Sequence, residues 1–174
     1  VLAAMAAGKH VLCEKPFMLN QAEAREICAR QAEAPDLKVA CCSSRFHAGA
    51  PVRKARALIA EGGIGHLLRL RFLHVLPPPK PLSSMTPWQQ KRATAGGGRL
   101  MSWGVYYLDW LRFLLGEQFA PQCLFARTEN WHWEEGDIDS GFSAEILLQS
   151  GATIALECRV DHGPASKRVE IRGT

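Results

Sequence analysis

Two short apolar runs, His10-Val11-Leu12-Cys13 and Leu37-Lys38-Val39-Ala40-Cys41-Cys42, flank a segment of helical periodicity. No other feature limits the fold as much. Each run has the length of a short strand, and the segment between them is long enough for the crossover that parallel strands require. A helix is predicted over roughly 21–34. Asn20 is its N-cap, Glu23 completes a capping box, and Ala24, Ile27, Cys28 and Gln31 form its buried stripe. Pro35-Asp36 ends it. Ahead of the first strand, residues 1–7 are Ala-rich and favour helix. Gly8 suits the C-terminal cap, and Lys9 and His10 suit the negative end of the dipole. Helix, strand, helix, strand at this spacing predicts a βαβ unit with two buried, parallel strands.

The pattern then changes. Residues 51–61 read as an amphipathic helix, with Val52, Ala55, Arg56 and Ile59 at helical spacing and Gly62-Gly63 at its end. From His66 to Val75 the period is two, with Leu68, Leu70, Phe72 and His74 on one face and Arg69, Arg71 and Leu73 on the other. Pro77-Pro78-Pro79-Lys80-Pro81 excludes regular structure, so residues 76–95 read as a long surface excursion. Gly96-Gly97-Gly98 opens a helix over roughly 99–115, closed by Gly116. Four strand-like runs follow: Gln122–Thr128, Phe142–Gln149, Ala152–Val160 and Lys167–Ile171. A tight turn at Ser150-Gly151 joins two of them, and hairpins of this kind predict an open mixed, largely antiparallel sheet. The fold class is therefore α/β passing into α+β.

Composition narrows the function classes. Of 174 residues, 47% are hydrophobic and 22% charged, which excludes a disordered chain. No run approaches the roughly 18–20 apolar residues of a membrane span. A net charge of +4, spread along the chain, gives no footprint for nucleic acid. Six cysteines with no C-x-x-C pair read as reduced thiols of a cytoplasmic protein. The chain begins Val1-Leu2-Ala3-Ala4 without the basic start of a signal peptide, and reads as the end of a helix begun upstream.

Two constellations carry chemistry. On the helix at 99–115, Leu100, Trp103, Gly104, Tyr107, Leu108, Leu111, Leu114 and Leu115 gather on one face. Ser102, Tyr106 and Asp109 fall nearly opposite, as a solvated face or as a catalytic face aimed into a cleft. The glycines ahead of them allow close approach of a ligand to Gly97 and Gly98, with free N–H groups at the positive dipole end, or serve as a flexible entry. Glu14-Lys15-Pro16 stands past the carboxyl end of a presumed parallel strand, where open α/β sheets bind ligands. A lysine there lowers the pKa of a nearby hydroxyl. The remaining candidates have simpler readings. His132, Asp137 and Asp139 lack the regular spacing of a cation loop, so no metal is expected. His47 reads as solvated or as a support beside the cleft. Arg53, Lys54 and Arg56 read as a solvated basic face, and Cys41-Cys42 as core filling.

Taken together, Ala7-Gly8-Lys9-His10-Val11-Leu12-Cys13-Glu14-Lys15-Pro16 and Gly96-Gly97-Gly98-Arg99-Leu100-Met101-Ser102-Trp103-Gly104-Val105-Tyr106-Tyr107-Leu108-Asp109 resemble the Gfo/Idh/MocA oxidoreductase family. Val39–Phe46, Ala55–Gly65 and Glu170–Thr174 match in order. The resemblance implies that residues 1–45 are the C-terminal part of a Rossmann domain binding NAD or NADP. Residues 46–174 are then a substrate-binding and oligomerisation α/β domain. It places Glu14, Lys15, Pro16 and Arg45 beside the cofactor, and Gly97, Gly98, Ser102, Tyr106 and Asp109 on the substrate side. It implies hydride transfer with a sugar, polyol or related small molecule, Lys15 and Tyr106 acting as the catalytic pair. A homo-oligomer, dimer or tetramer, through the sheet face is the expected assembly. Two departures stand out. Ser102 and Tyr106 replace the usual Asp and His, although members resembling glucose-fructose oxidoreductase and dihydrodiol dehydrogenase also carry Tyr. No strand is followed by G-x-G-x-x-G, so the pyrophosphate site is expected upstream. The alternative is a non-catalytic binding or assembly module that keeps the fold without the dinucleotide site.

Overall fold

The structure, a computed structural model, describes residues 1–133 and 135–174. Helix α1 (Leu2–Ala6), strand β1 (Val11–Cys13), helix α2 (Gln21–Glu33) and strand β2 (Val39–Cys41) form the βαβ unit. β1 and β2 pair in parallel, with Cys13 opposite Cys41. The Asn20 side chain accepts from Glu23 N at 3.0 Å, as a cap should. Glu23 reaches back one residue further than expected, to Leu19 N at 2.8 Å. Two expectations need correction. β1 is not buried on both faces: Val11 and Cys13 are half-buried, but Leu12 is 74% exposed. It stands with Ala40 on a sheet face that no described residue covers. In α2 only Ile27 is buried and Cys28 is exposed, because the helix meets α1 along a narrow line.

A short helical turn at Ser44–Phe46 leads into α3 (Ala50–Ala60) and β3 (Leu67–Leu76). The alternation of β3 places Leu70, Phe72 and His74 in the core as expected. Leu68 departs from it: pairing with the neighbouring strand slips between Leu67 and Arg69, so Leu68 is left out of register and exposed. The excursion at 76–95 is not structureless. It contains helical turns at Leu82–Ser84 and Pro87–Gln90 and a short helix α4 (Arg92–Ala95), which Gly96 caps with φ +75°.

The helix expected over 99–115 divides into a wide π-type turn (Leu100–Gly104) and α5 (Val105–Leu115). The sheet strands β4 (Pro121–Glu129), β5 (Gly141–Leu148), β6 (Thr153–Val160) and β7 (Ser166–Gly173) join β3 in the order β4-β5-β6-β3-β7. Only β3 and β6 are parallel, so the sheet is mixed and largely antiparallel. α5 lies on one sheet face, with α3 beside it. Its buried face is Tyr106, Tyr107, Trp110, Leu111, Leu114 and Leu115. Leu108 and Leu100 are exposed rather than buried, and Tyr106 is buried rather than opposite the core. The aromatic residues shift the face: Tyr106 packs edge-on against Phe46, and Trp110 against Phe72. Inside the core, the Tyr107 hydroxyl meets His74 Nδ1 and lies 3.9 Å from Cys158 Sγ. Burial lowers the His74 pKa to about 4, with Lys167 and Arg99 adding to it. Burial also raises Tyr107, and pushes Cys158 up to about 11. No helix among the described residues is long and apolar enough to cross a membrane.

Candidate active site

The carboxyl ends of β1 and β2 face the wide turn that opens α5. Between them lies a cavity of about 310 Å³, within the size range of small-molecule sites. Lys15, Pro16, Arg45, Gly97, Gly98, Ser102 and Tyr106 all line it. Residues far apart in sequence are thus brought to one place. The Lys15–Pro16 peptide bond is cis.

Lys15 is the centre of the site. Its Nζ donates to the Ser102 carbonyl at 2.9 Å, across 87 positions of sequence. The same ammonium sits 5.0 Å from the centre of the Tyr106 ring, a cation–π distance. Its pKa is lowered, first by burial and then by repulsion from Arg45, with Glu14 opposing. The Arg45 guanidinium lies 5.2 Å from the Tyr106 ring and 5.9 Å from that of Trp103. Ser102 contributes its carbonyl, while its hydroxyl makes a long 3.4 Å contact to Arg99 O.

The glycines act differently from the expectation of a ligand cradle. A Cβ on Gly98 would lie 1.9 Å from Asp139 O, so the close approach is between two backbone segments. The N–H groups at the start of the turn are taken as well. Gly98 N and Leu100 N donate to the Asp139 carboxylate at 2.8 and 2.7 Å, and Arg99 N donates to Asp139 O at 2.9 Å. Asp137 accepts from Arg92 N at 2.8 Å. Both carboxylates therefore serve backbone N–H groups, as helix N-termini favour. Among the described residues no group of three His, Cys, Asp or Glu side chains is arranged for a metal.

Two further residues fall outside the cavity. Glu14 is exposed and does not line it. Asp109 turns to the other flank of α5, where its Oδ2 lies 2.7 Å from His47 Nε2, close but not aligned as a hydrogen bond. His47 in turn stacks on Phe113 at 3.9 Å. The helical spacing that put Asp109 beside Tyr106 held no information about this partner. Other cavity residues carry no local motif: Met85, Trp88 and Gln89 from the excursion, and Trp133, whose indole N–H donates to Lys80 O at 3.1 Å. A larger hollow of about 750 Å³ adjoins across Gly97 and Met101. Its acidic wall includes Asp137 and Asp139, which are already committed to backbone N–H groups.

Comparison with known proteins gives a consistent picture. A family model described as the GFO/IDH/MocA C-terminal domain matches residues 52–174. A second, described as oxidoreductase family, NAD-binding Rossmann fold, matches residues 1–41. The chain is 32% identical to 1,5-anhydro-D-fructose reductase of Ensifer adhaerens, over 99% of the chain and 50% of that protein. It is 34% identical to trans-1,2-dihydrobenzene-1,2-diol dehydrogenase of Bos taurus, over 100% of the chain and 48% of that protein. It superposes on levoglucosan dehydrogenase in complex with NADH and levoglucosan with a TM-score of 0.78 at 26% identity, covering 99% of this chain and 48% of the other. The chain thus spans about half the length of the relatives it matches.

Proposed function

The chain belongs to the Gfo/Idh/MocA oxidoreductase family, and from that premise we propose that the protein transfers hydride between NAD(P) and a hydroxyl or carbonyl carbon of a sugar, polyol or related small molecule. The single observation that carries this reading is the Lys15 ammonium against Tyr106 in a cavity at the carboxyl ends of two parallel strands. The residues present fit the nicotinamide end of the cofactor: Lys15, Pro16 and Arg45 wall a hollow at the strand ends, where α/β sheets bind such groups. Bound there, the nicotinamide supplies the hydride donor or acceptor.

The chain's own groups do the rest. Tyr106 Oη exchanges the proton of the reacting hydroxyl. Lys15 Nζ, held by one bond to Ser102 O, keeps its remaining N–H groups for the oxygen on which negative charge develops. Ser102, Gly97 and Gly98 shape the substrate side. The aromatic walls of Trp88, Trp103 and Trp133 exclude water and suit the apolar faces of a sugar ring. We also propose the division into a cofactor-binding part, residues 1–45, and a substrate-binding and oligomerisation part, residues 46–174. A homo-oligomer through the sheet face is supported by Phe125, 72% exposed. Six free thiols suit the cytoplasm.

Steady-state turnover of the complete protein with NADH or NADPH tests the assignment. Lys15→Ala and Tyr106→Phe are each expected to lower kcat by about 100-fold or more. Wild-type turnover in both variants would sink the roles given to Lys15 and Tyr106, and no turnover in the parent would leave the fold as a binding module.

A further inference from the structure

Four cationic side chains from four separate parts of the chain converge on the aromatic wall of the cavity. Lys15 follows β1, Arg45 follows β2, Arg99 precedes the wide turn, and Lys167 lies in β7. Lys167 Nζ is 4.9 Å from the Trp103 ring and 4.8 Å from that of Phe46. Arg45 shares the Trp103, Tyr106 and Phe46 rings at 5.2 to 5.9 Å. Arg99 lies over Trp133 at 5.1 Å. Lys167 reaches this place because it pairs with His74 in the sheet, and opposed residues share a face.

What sets the cluster apart is its convergence, since most other lysines and arginines among the described residues also lack a carboxylate partner. Arg30, Arg71, Arg127, Arg159 and Arg168 each have a carboxylate partner. Among the described residues, Lys15, Arg45 and Lys167 have none. Like charges held together raise the energy of the site, an effect that Glu14 offsets only in part at Lys15. Burial and repulsion from Arg45 lower the pKa of both lysines. Aromatic faces hold the cations in position but leave their N–H groups unfilled. An anion entering the cavity relieves the repulsion and fills those donors.

We propose that the substrate is an acidic monosaccharide, whose carboxylate or phosphate group is held by Arg45 and Lys167 while its hydroxylated part occupies the cavity beside Tyr106. This rests on reading the cavity as the substrate site of the oxidoreductase. It goes further in giving that substrate a charge. Lys15 and Arg45 both lie against the Tyr106 ring, at 5.0 and 5.2 Å, so the anionic group is assigned to the reacting molecule.

Calorimetric titration of the protein, with and without NADH, tests the proposal with four probes: D-glucuronate, D-glucose 6-phosphate, D-glucose and inorganic phosphate. At least one acidic sugar is expected to bind about tenfold or more tightly than glucose, with the margin shrinking as salt rises. The tighter of the two identifies carboxylate or phosphate as the preferred group. Arg45→Gln and Lys167→Gln are each expected to reduce the margin severalfold without changing the thermal unfolding midpoint. Glucose binding as tightly as both acids would overturn the proposal and leave the hydride-transfer reading intact. Inorganic phosphate binding as well as the acidic sugars, an unchanged margin in both variants, or no binding of either acid would also overturn it. Failure of the oxidoreductase reading shows separately, as no NADH- or NADPH-dependent turnover in the parent protein.

Discussion

Gly98→Ala probes the contact on which the geometry of the cavity depends. The new Cβ would meet Asp139 O at 1.9 Å and Asp139 N and C at 2.8 Å. Ordinary contact begins near 3.4 Å, so the two backbone segments must part by about 1.5 Å. No side-chain rotation relieves this, because every atom named is main chain. Three hydrogen bonds depend on the contact: Gly98 N and Leu100 N to the carboxylate, and Arg99 N to Asp139 O. Bonds to a charged acceptor contribute about 1.5–3 kcal/mol and neutral ones about 1 kcal/mol. Asp139 is only half-buried, so the lower values apply. The expected loss is about 4 kcal/mol in all, which lowers the urea midpoint by about 1.5 M for an m of roughly 2.5 kcal/mol/M. Gly163→Ala is the control, since nothing lies within 4 Å of its Cβ and its φ is not positive. It is expected to stay within about 0.5 kcal/mol of the parent. A Gly98→Ala midpoint within about 0.3 M of the parent would refute the reading of the triplet as a backbone contact.

Two further perturbations test the fold around the site. His74 is held neutral, with its pKa lowered from 6.5 to about 4. The unfolded chain therefore binds more protons in that window, and stability present above pH 6.5 is lost as pH falls towards 4. The loss is at most about 3 kcal/mol. Urea unfolding at pH 7 and pH 4.5 measures it, and His74→Gln is expected to flatten the difference. Asn20→Ala removes the cap of α2 and is expected to cost about 1 kcal/mol in the same assay. An unchanged midpoint would mean that Glu23 alone holds the helix start.

Local signals in the sequence led to correct structure where the determining contacts are themselves local. The capping box at Asn20 and Glu23, the period-two run of β3 and the βαβ spacing depend on neighbours a few residues away. Lys15, Arg45 and Tyr106 became recognisable as a group through family motifs, and they line one cavity. What failed depends on distant partners. The bulge at Leu68 comes from a register set by β7. Asp109 is turned by His47, 62 positions earlier in the chain. The triplet glycines answer to Asp139, 41 positions from Gly98. Lys167 shows no local sign of meeting the Trp103 ring, because its location follows from pairing with His74. Helical periodicity puts Tyr106 on the polar face because it weighs the hydroxyl, whereas packing weighs the ring.

The bond from Lys15 to residue 102 is accepted by a main-chain carbonyl. Any amino acid at that position supplies the same acceptor, provided the wide turn is kept. The anchor of the ammonium is thereby separated from the side chain that lines the cavity. A change of side chain at position 102 leaves Lys15 anchored while changing the charge and reach of the cavity wall. Under the proposed function, position 102 is thus a place where the cavity wall can change without moving the anchor of Lys15.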